Sequence, residues 1–389
     1  MSAIMLSAKE AAAELGVRVD TLYAYVSRGL IHSEPGPGRA RLYSAKDVRA
    51  FRQKERRNLG GDQTNESLVI HSAITAISDV GPSYRGRLAT ELAGNAGFES
   101  VATLLWQCEG IDPFSELAPD KPLENLPASL RGIERAMVMV AAWPRGDKSA
   151  YSLNKKILWR HGAALCRVVA AELVGTRPDD LPLVEHMARA WNITNAGHKK
   201  LIAAALVLSA DHELNSSAFA VRVAASTGAP LHAALASGFG AFLGPRHGAA
   251  SERADHWLGL MLDQGRITET LEEQLMLAQD LPGFGHLVYT GADPRAVCLF
   301  NLLHDEFADH PFVRMSVQIC EEALRLFGLF PNIDFALAVV RRVLELPAQA
   351  GMSLFCAGRM AGWIAHALEQ YETSDQIRPR AIYTGPRAI

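Results

Sequence analysis

Apolar residues recur at three- and four-residue intervals through four long stretches, Leu126–Ala142, Leu153–Val174, Leu183–Thr194 and Leu201–Ser209. That spacing puts them on one face of a helix. The breaks fall at clusters of Pro, Gly and Asn, and strand-like alternation is nearly absent. The pattern predicts an all-α body. The longest apolar run, Leu201 to Ala210, follows Lys199-Lys200 and precedes Asp211. It is about half the ~20 residues a membrane span needs, so it reads as a buried helix. GFGAFLG (238–244) is Gly-rich, but no strand precedes it, which favours close helix packing over a dinucleotide fold.

The first 57 residues have a different pattern. Ser7 with Glu10 three residues later forms a capping box for a short helix, Ala8 to Leu15. Gly16-Val17 supplies a tight turn. A second helix, with Asp20 as its predicted cap, carries Thr21, Tyr23, Tyr25, Ser27 and Arg28 and stops at Gly29. Pro35-Gly36-Pro37-Gly38 forms a loop before Arg39, Arg41 and Tyr43, and Ser44 begins a third helix that ends in Lys54-Glu55-Arg56-Arg57. The pattern AKEAAAELGVRVDTLYAYVSRGLI with GRARLYSAKDVRAF resembles the MerR-like winged helix-turn-helix. The resemblance implies that the second helix enters the DNA major groove, with Thr21, Tyr23 and Arg28 as candidate contacts, and that Arg39 and Arg41 in the wing meet phosphates. The bland alternative is a domain kept for packing or protein contacts. The long dimerising helix that normally follows such a module is missing. Residues 58–66, NLGGDQTNE, read as a short flexible linker.

Charge sharpens this division. Residues 1–61 carry a net charge of +5 and the rest −8, within a total of −3. A basic module is therefore attached to an acidic body. With 389 residues and 49% hydrophobic content the chain is long enough for two or three domains and a large core. The five Cys (108, 166, 298, 320, 356) show no paired spacing. That argues for reduced thiols in a cytoplasmic protein rather than a disulfide framework or zinc site. The N-terminus lacks a signal-peptide layout.

The candidate chemistry lies in GFGHLVYTGADPRA, residues 283–296. His286 sits in a Gly-rich turn, and Arg295 follows Asp293-Pro294. Glycine admits a ligand close to the backbone. A His able to exchange a proton near neutral pH and an Arg able to grip a carboxylate suit a small organic acid. Three further segments stand with it: ADHELNSS (210–217), GPRHGAASE (244–252) and FPNIDF (330–335). GRMAGWIAHALEQ (358–370) and a closing Arg378-Pro379-Arg380 with Tyr383-Thr384-Gly385 complete the set.

These motifs, in this order, resemble the citrate synthase family from roughly residue 66 to the C-terminus. The resemblance implies condensation of acetyl-CoA with oxaloacetate to give citrate and CoA, with no bound cofactor and no metal. 2-Methylcitrate synthesis from propionyl-CoA is an alternative, as is a non-catalytic citrate- or oxaloacetate-sensing DNA-binding regulator. It implies Asp334 as the base, His247 as donor to the enol oxygen and His286 as the acid at the oxaloacetate carbonyl. His212, Arg295, Arg359 and Arg378 would hold substrate, the last reaching in from the partner of a homodimer. Residue by residue the alternatives are plainer: a helix cap for Asp334, an ion pair with Asp293 for Arg295, a helix-end Arg for Arg359, and Arg380 in place of Arg378. The implied fold is all-α, with a large domain over 67–248 and 346–389 and a small one over 249–345, after the 1–57 module. Some positions depart from the family. HRVYK is His286-Leu287-Val288-Tyr289-Thr290, GGAN is Gly248-Ala249-Ala250-Ser251, and DFYSG is Asp334-Phe335-Ala336-Leu337-Ala338. The oxaloacetate clamp is intact while the grip on CoA is weaker, with Arg325 a possible substitute cation.

Overall fold

The structure is a computed structural model that describes residues 5–385 apart from 37–39, 46, 50, 52–68, 109, 121–122, 124, 128, 144–146 and 278. Arg39, residues 54–57 and the 58–66 linker lie outside the described residues. The chain divides into two compact units, Met1–Asn65 with Ala250–Gly351, and Glu66–Ala249 with Met352–Ile389.

In the first unit the capping box forms as the sequence predicts. Glu10 N–H donates to the Ser7 hydroxyl, Ser7 N–H donates to the Glu10 carboxylate, and the Ala8–Leu15 helix ends at left-handed Gly16. The second helix spans Val19–Ser27. Its N-cap is Arg18, whose extended backbone presents its carbonyl to Thr21 N–H and Leu22 N–H, and Asp20 stands inside the first turn rather than at the cap. Strand Arg41–Ser44 lies between Met5–Ser7 and Ser33–Pro35, antiparallel to both. The resulting wing closes over a small core of Ala11, Ala12, Leu22, Ile31, Tyr43, Val48 and Phe51.

This module does not stand alone. Arg49 pairs with the buried carboxylate of Glu14, donates to the Leu275 carbonyl at 2.8 Å, and lies 4.8 Å from the centre of the Phe327 ring. One guanidinium thus ties the module to the ends of the Ile267–Met276 and Pro311–Phe327 helices. The rest of this unit is helical. Ala250–Gln264 packs on Ile333–Val343, where Arg342 donates to Asp255 through Nε at 2.8 Å and Trp257 meets Phe335 edge-on at 6.2 Å.

The second unit is a helical body with one feature the hydrophobic pattern did not reveal. Thr75–Ser78, Gly81–Tyr84 and Arg87–Leu88 form a three-stranded antiparallel sheet. The strands are two to four residues long, too short for alternation to register as a signal. Among the predicted helices, 126–142 is realised only as Gly132–Ala141, because Leu130 N–H turns back to the Pro127 carbonyl instead of entering a helix. The others run Lys155–Val174, Leu183–Ala190 and Ala196–Ser209. GFGAFLG lies largely in the Leu231–Phe242 helix, where a Cβ on Gly238 would come within 2.7 Å of Val221 and 3.2 Å of Trp363. Close helix packing is therefore the reason for that glycine.

The centre of the unit is the contact between Ala196–Ser209 and Ala350–Tyr371, both buried along most of their length. Gly358 and Gly362 let the two backbones touch. A Cβ at Gly358 would lie 2.4 Å from the Leu206 carbonyl oxygen, and one at Gly362 would lie 2.3 Å from that of Ala210. Among the described residues no helix is long and apolar enough to cross a membrane, and all five cysteines are free thiols.

Gly358→Ala should lower unfolding stability by about 1–3 kcal/mol, the usual range for overpacking a tight core. Gly240→Ala, in the same unit with open space at its would-be Cβ, should leave stability unchanged or slightly raised. Urea midpoints of the two variants test the contrast.

Candidate active site

The unit that contains 250–351 brings three of the predicted residues into a defined arrangement. The GFGH turn and the PNID turn are stitched together: Gly285 N–H donates to the Phe330 carbonyl at 2.8 Å, Asn332 N–H to that of Gly283 at 2.9 Å, and the Asn332 amide to that of Gly285 at 3.0 Å. Gly283 has φ +82°, and a Cβ there would lie 2.7 Å from the Cβ of Phe335. Only glycine meets both demands.

Behind this turn sits a buried ion pair. Asp293 caps the Pro294–Phe307 helix and is 1% exposed; Arg295 is 3% exposed. One carboxylate oxygen accepts from Arg295 N–H and Nε, each at 3.0 Å, and the other from its NH2 at 2.8 Å and from Ile333 N–H at 3.1 Å. Burial pushes the Asp293 carboxyl upward, but the charge and hydrogen bonds of Arg295 outweigh it and hold the group below its ordinary value. The ion-pair reading of Arg295 is thus realised, and it also fixes where the guanidinium points. Its NH2 lies 3.3 Å from Nε2 of His286.

The other edge of that ring settles its tautomer. Val288 N–H and Tyr289 N–H both donate to Nδ1, at 3.0 and 3.3 Å. Nδ1 must then be the acceptor, and in the neutral ring the proton resides on Nε2. With the proton there, Nε2 and the Arg295 NH2 are suited to donate side by side to the carbonyl and carboxylate oxygens of an oxo-acid, in place of the 3.3 Å contact between them. Asp334 stands in the first turn of Ile333–Val343, but the cap is Asn332, whose side chain accepts from Asp334 N–H and Phe335 N–H. The helix-cap alternative for Asp334 is therefore set aside. Its carboxylate accepts from the Ser251 hydroxyl at 2.6 Å.

The other unit holds His212, His247, Arg359 and Arg378. His247 Nε2 lies 2.6 Å from the Ser217 hydroxyl, which also meets the Asn215 side-chain oxygen Oδ1 at 2.8 Å and accepts from the Trp363 indole at 2.9 Å. This anchors one ring edge. A donor role for the opposite nitrogen, Nδ1, requires the Ser217 proton to point at Nε2. The ring packs against Phe242 at 5.3 Å and Phe355 at 6.1 Å, and a Cβ on Gly248 would run into Phe242. Burial, reinforced by the positive charge of Arg359, lowers the His247 pKa to about 3. It is neutral across the physiological range.

Arg359 is 1% exposed, donates through Nε to the Ser209 carbonyl at 2.8 Å, and lies over Phe355. It is not a solvated helix-end residue. His212 is buried, and its carbonyl accepts from the Asn215 amide. Arg378 and Arg380 are both exposed in the irregular tail after the last helix.

Sequence reasoning overlooked a layer beneath His212. Asp211 and His366, both wholly buried, pair at 3.3 Å. Tyr84 OH donates toward the Val207 and Asp211 carbonyls at 3.0 and 3.1 Å. Arg222 links Glu369 and Gln370 beside them, at 2.5 and 3.1 Å. The available signal was local: Asp211 lies inside the ADHELNSS segment.

Arg325, the candidate replacement cation for CoA, pairs with Glu322 at 2.6 Å and Glu272 at 3.7 Å. Thr290 is exposed. A cavity of about 450 Å³ in the 66–249 segment is lined by Trp143, Asp147, Ser149, Arg160 and His161 among others, and by none of the motif residues. Its Ser, His and Asp do not form a relay, because Ser149 and Asp147 both meet the same nitrogen, His161 Nε2, at 3.0 and 3.1 Å. Among the described residues no group of three or more His, Cys, Asp or Glu could hold a metal ion. In the N-terminal module, Tyr23 is 50% exposed. Arg28 is exposed, Thr21 is half-buried, and exposed Arg41 donates to Ser33 at 2.7 Å.

Imidazoles, a carboxylate and buried guanidinium groups, as the two units carry them, are the set that enzymes use for acid–base chemistry on carboxylate substrates. The family model described as citrate synthase, C-terminal domain, matches residues 64–380, and one described as a helix-turn-helix domain matches residues 5–56. The chain belongs to the citrate synthase family. It is 33% identical to a citrate synthase of Haloferax volcanii over 79% of this chain and 90% of that protein. A 2-methylcitrate synthase of Shewanella oneidensis is 29% identical over 81% and 93%. Among solved structures, citrate synthase from Thermotoga maritima superposes with TM-score 0.68 at 25% identity, covering 83% of this chain and 95% of that one. A ternary complex of Thermoplasma acidophilum citrate synthase shares the fold with TM-score 0.71 at 21% identity, covering 85% and 97%.

The depressed pKa of His247 has a stability consequence. Below its ordinary value of 6.5 the unfolded chain takes up a proton that the folded chain refuses until pH falls to about 3. Unfolding then binds protons, so this group makes stability fall as pH drops through that window. Urea unfolding at pH 7.5 and pH 5 should show a smaller loss of stability for His247→Gln than for the parent. Equal losses would contradict the assignment.

Proposed function

We propose that this chain condenses an acyl-CoA with oxaloacetate and releases CoA. Asp334 removes a proton from the carbon next to the thioester carbonyl, and His247 steadies the enol oxygen. The new carbon–carbon bond forms at the oxaloacetate carbonyl, whose oxygen takes its proton from His286. Water then cleaves the thioester, freeing the CoA thiol and leaving the third carboxylate. The observation that carries this reading is the adjacency of His286 Nε2 and the Arg295 guanidinium, 3.3 Å apart, with the guanidinium fixed by buried Asp293. They match the carbonyl and adjoining carboxylate of a 2-oxo acid. His212 and Arg359 supply further contacts, and Arg378 reaches the site of a partner subunit in a homodimer. A large domain of 67–248 with 346–389 and a small one of 249–345 belong to the same reading.

Acetyl-CoA is the first choice of acyl donor, and relatives named for either product leave propionyl-CoA as the second. A hydrophobic pocket discriminates one methylene by only about 1–3 kcal/mol. Weak CoA contacts follow from exposed Thr290 and from Arg325 being engaged with glutamates. Thiol release from each acyl-CoA with oxaloacetate tests the proposal. Asp334→Asn should reduce the rate by roughly 10²–10⁴-fold, the usual contribution of a positioned base. A variant as fast as the parent, or a parent that releases no thiol with either donor, would refute it.

A second reading concerns the N-terminal module, supported by the helix-turn-helix match and by exposed Tyr23 and Arg28 on or beside the second helix. The module binds DNA as part of a two-fold pair, so the protein combines enzyme and DNA-binding roles, or serves as a citrate- or oxaloacetate-sensing regulator where turnover is absent. Binding to its own promoter DNA should weaken steeply as salt rises, because phosphate contacts release counterions. Arg28→Ala should weaken it further. Salt-independent or undetectable binding would remove this role.

A further inference from the structure

We infer that Ser251 is a positioning residue for Asp334: its hydroxyl holds one carboxylate oxygen and so fixes the orientation of the carboxylate. This rests on the proposed role of Asp334 as the base. Ser251 is the second residue of the Ala250–Gln264 helix and is 1% exposed. Its hydroxyl donates to Oδ1 of Asp334 at 2.6 Å, at the short end for O–H···O bonds and typical of a charged acceptor. A serine has one proton to give. Donating it to Oδ1 breaks the equivalence of the two carboxylate oxygens.

The donor is rigid because its helix is. The Ala250–Gln264 and Ile333–Val343 helices are fastened one to two turns further on by Arg342, which donates to the Asp255 carboxylate at 2.8 Å and to the Asp255 carbonyl at 2.9 Å. A Cβ on Gly259 would lie 2.9 Å from the same guanidinium. Ser251 and Asp334, each in the first turn of its own helix, are thus presented to one another by a fixed pair of rods. On the other side, Asn332 holds the Asp334 backbone N–H at 3.0 Å and reaches across to the Gly285 carbonyl at 3.0 Å, one residue before His286. Backbone and carboxylate are therefore each fixed by a separate side chain.

The position also carries chemical meaning. Where the family motif has Asn, with two N–H donors on a longer arm, this chain has a single short hydroxyl donor. One hydrogen bond to the charged form lowers the proton affinity of a carboxylate; a second would lower it further and weaken the base. Asp293 and Arg295 neutralise each other. Asp255 takes Arg342 and lies 3.8 Å from Arg341. His286 Nδ1 is held by backbone N–H groups, and Glu252 and Arg253 follow Ser251 in the same helix. The Ser251 hydroxyl is a direct contact to the carboxylate that a single substitution can remove.

The experiment compares the parent, Ser251→Ala and Ser251→Thr in the full-length protein, by two readouts. The first is the ¹³C titration of the Asp334 carboxyl in aspartate-labelled protein, with its resonance assigned by its loss in Asp334→Asn. Ser251→Ala should titrate about one pH unit higher than the parent, the order expected for loss of a direct hydrogen bond to a carboxylate, while Ser251→Thr, which keeps a hydroxyl, should stay near the parent. The second is steady-state thiol release. There Ser251→Ala should lose kcat by about 10- to 100-fold with the oxaloacetate KM unchanged, and the acid limb of its kcat profile should move up in pH with the NMR titration. An Asp334 titration in Ser251→Ala equal to that of the parent would overturn the inference, whatever the turnover. A parent without thiol release would instead refute the condensation reading, and the titration would still decide the role of Ser251.

Discussion

The backbone contact between the Ala196–Ser209 and Ala350–Tyr371 helices is the constraint from which much of the site follows. At Gly358 and Gly362 the helices approach so closely that a single methyl would collide with a carbonyl oxygen. That approach carries Arg359 under the end of the first helix, where it bonds the Ser209 carbonyl. It also sets His366 against Asp211, one residue before His212. Burial raises the Asp211 carboxyl, and His366, together with Arg359 and Thr75, more than offsets it. A buried pair of this kind stabilises little by itself, but removing one partner leaves an uncompensated charge. Its effect is to fix one arrangement of the turn that bears His212.

Each unit solves the same problem, holding an imidazole by one edge and leaving the other for chemistry, with different parts. His247 is held by a hydroxyl that also receives an indole N–H, in an aromatic surround that keeps the ring neutral. His286 is held by two backbone N–H groups of its own turn. The first solution depends on a residue 30 positions away, Ser217. The second needs only the local path set by Gly283 and Gly285.

That difference explains what could be read from the chain. His286, Arg295 and Asp334 were legible because their turns are local and built from Gly, Pro and Asn, whose backbone preferences are strong. Arg295 with Asp293 was legible even as an ion pair. Partners brought in by folding were not: Ser217 was simply part of HELNSS, and Ser251 stood out only as a departure from a motif, with nothing to show that its hydroxyl meets a carboxylate 83 positions away. Helix existence followed from periodicity, while helix ends did not, since a carbonyl such as that of Pro127 or Arg18 decided where each began. The 75–88 sheet was missed because strands of two to four residues have no period to detect.

The anchorage of Arg49 bears on how the chain is made. Its hydrogen-bond acceptor, the Leu275 carbonyl, lies 226 residues further along. At about 5–20 residues per second on the ribosome, the module leaves the exit tunnel roughly ten to forty-five seconds before its berth exists. The module's small apolar core and the Glu14–Arg49 pair consist entirely of residues already synthesised by then, so the contacts that orient the docking side chain are encoded ahead of the helix ending at Met276.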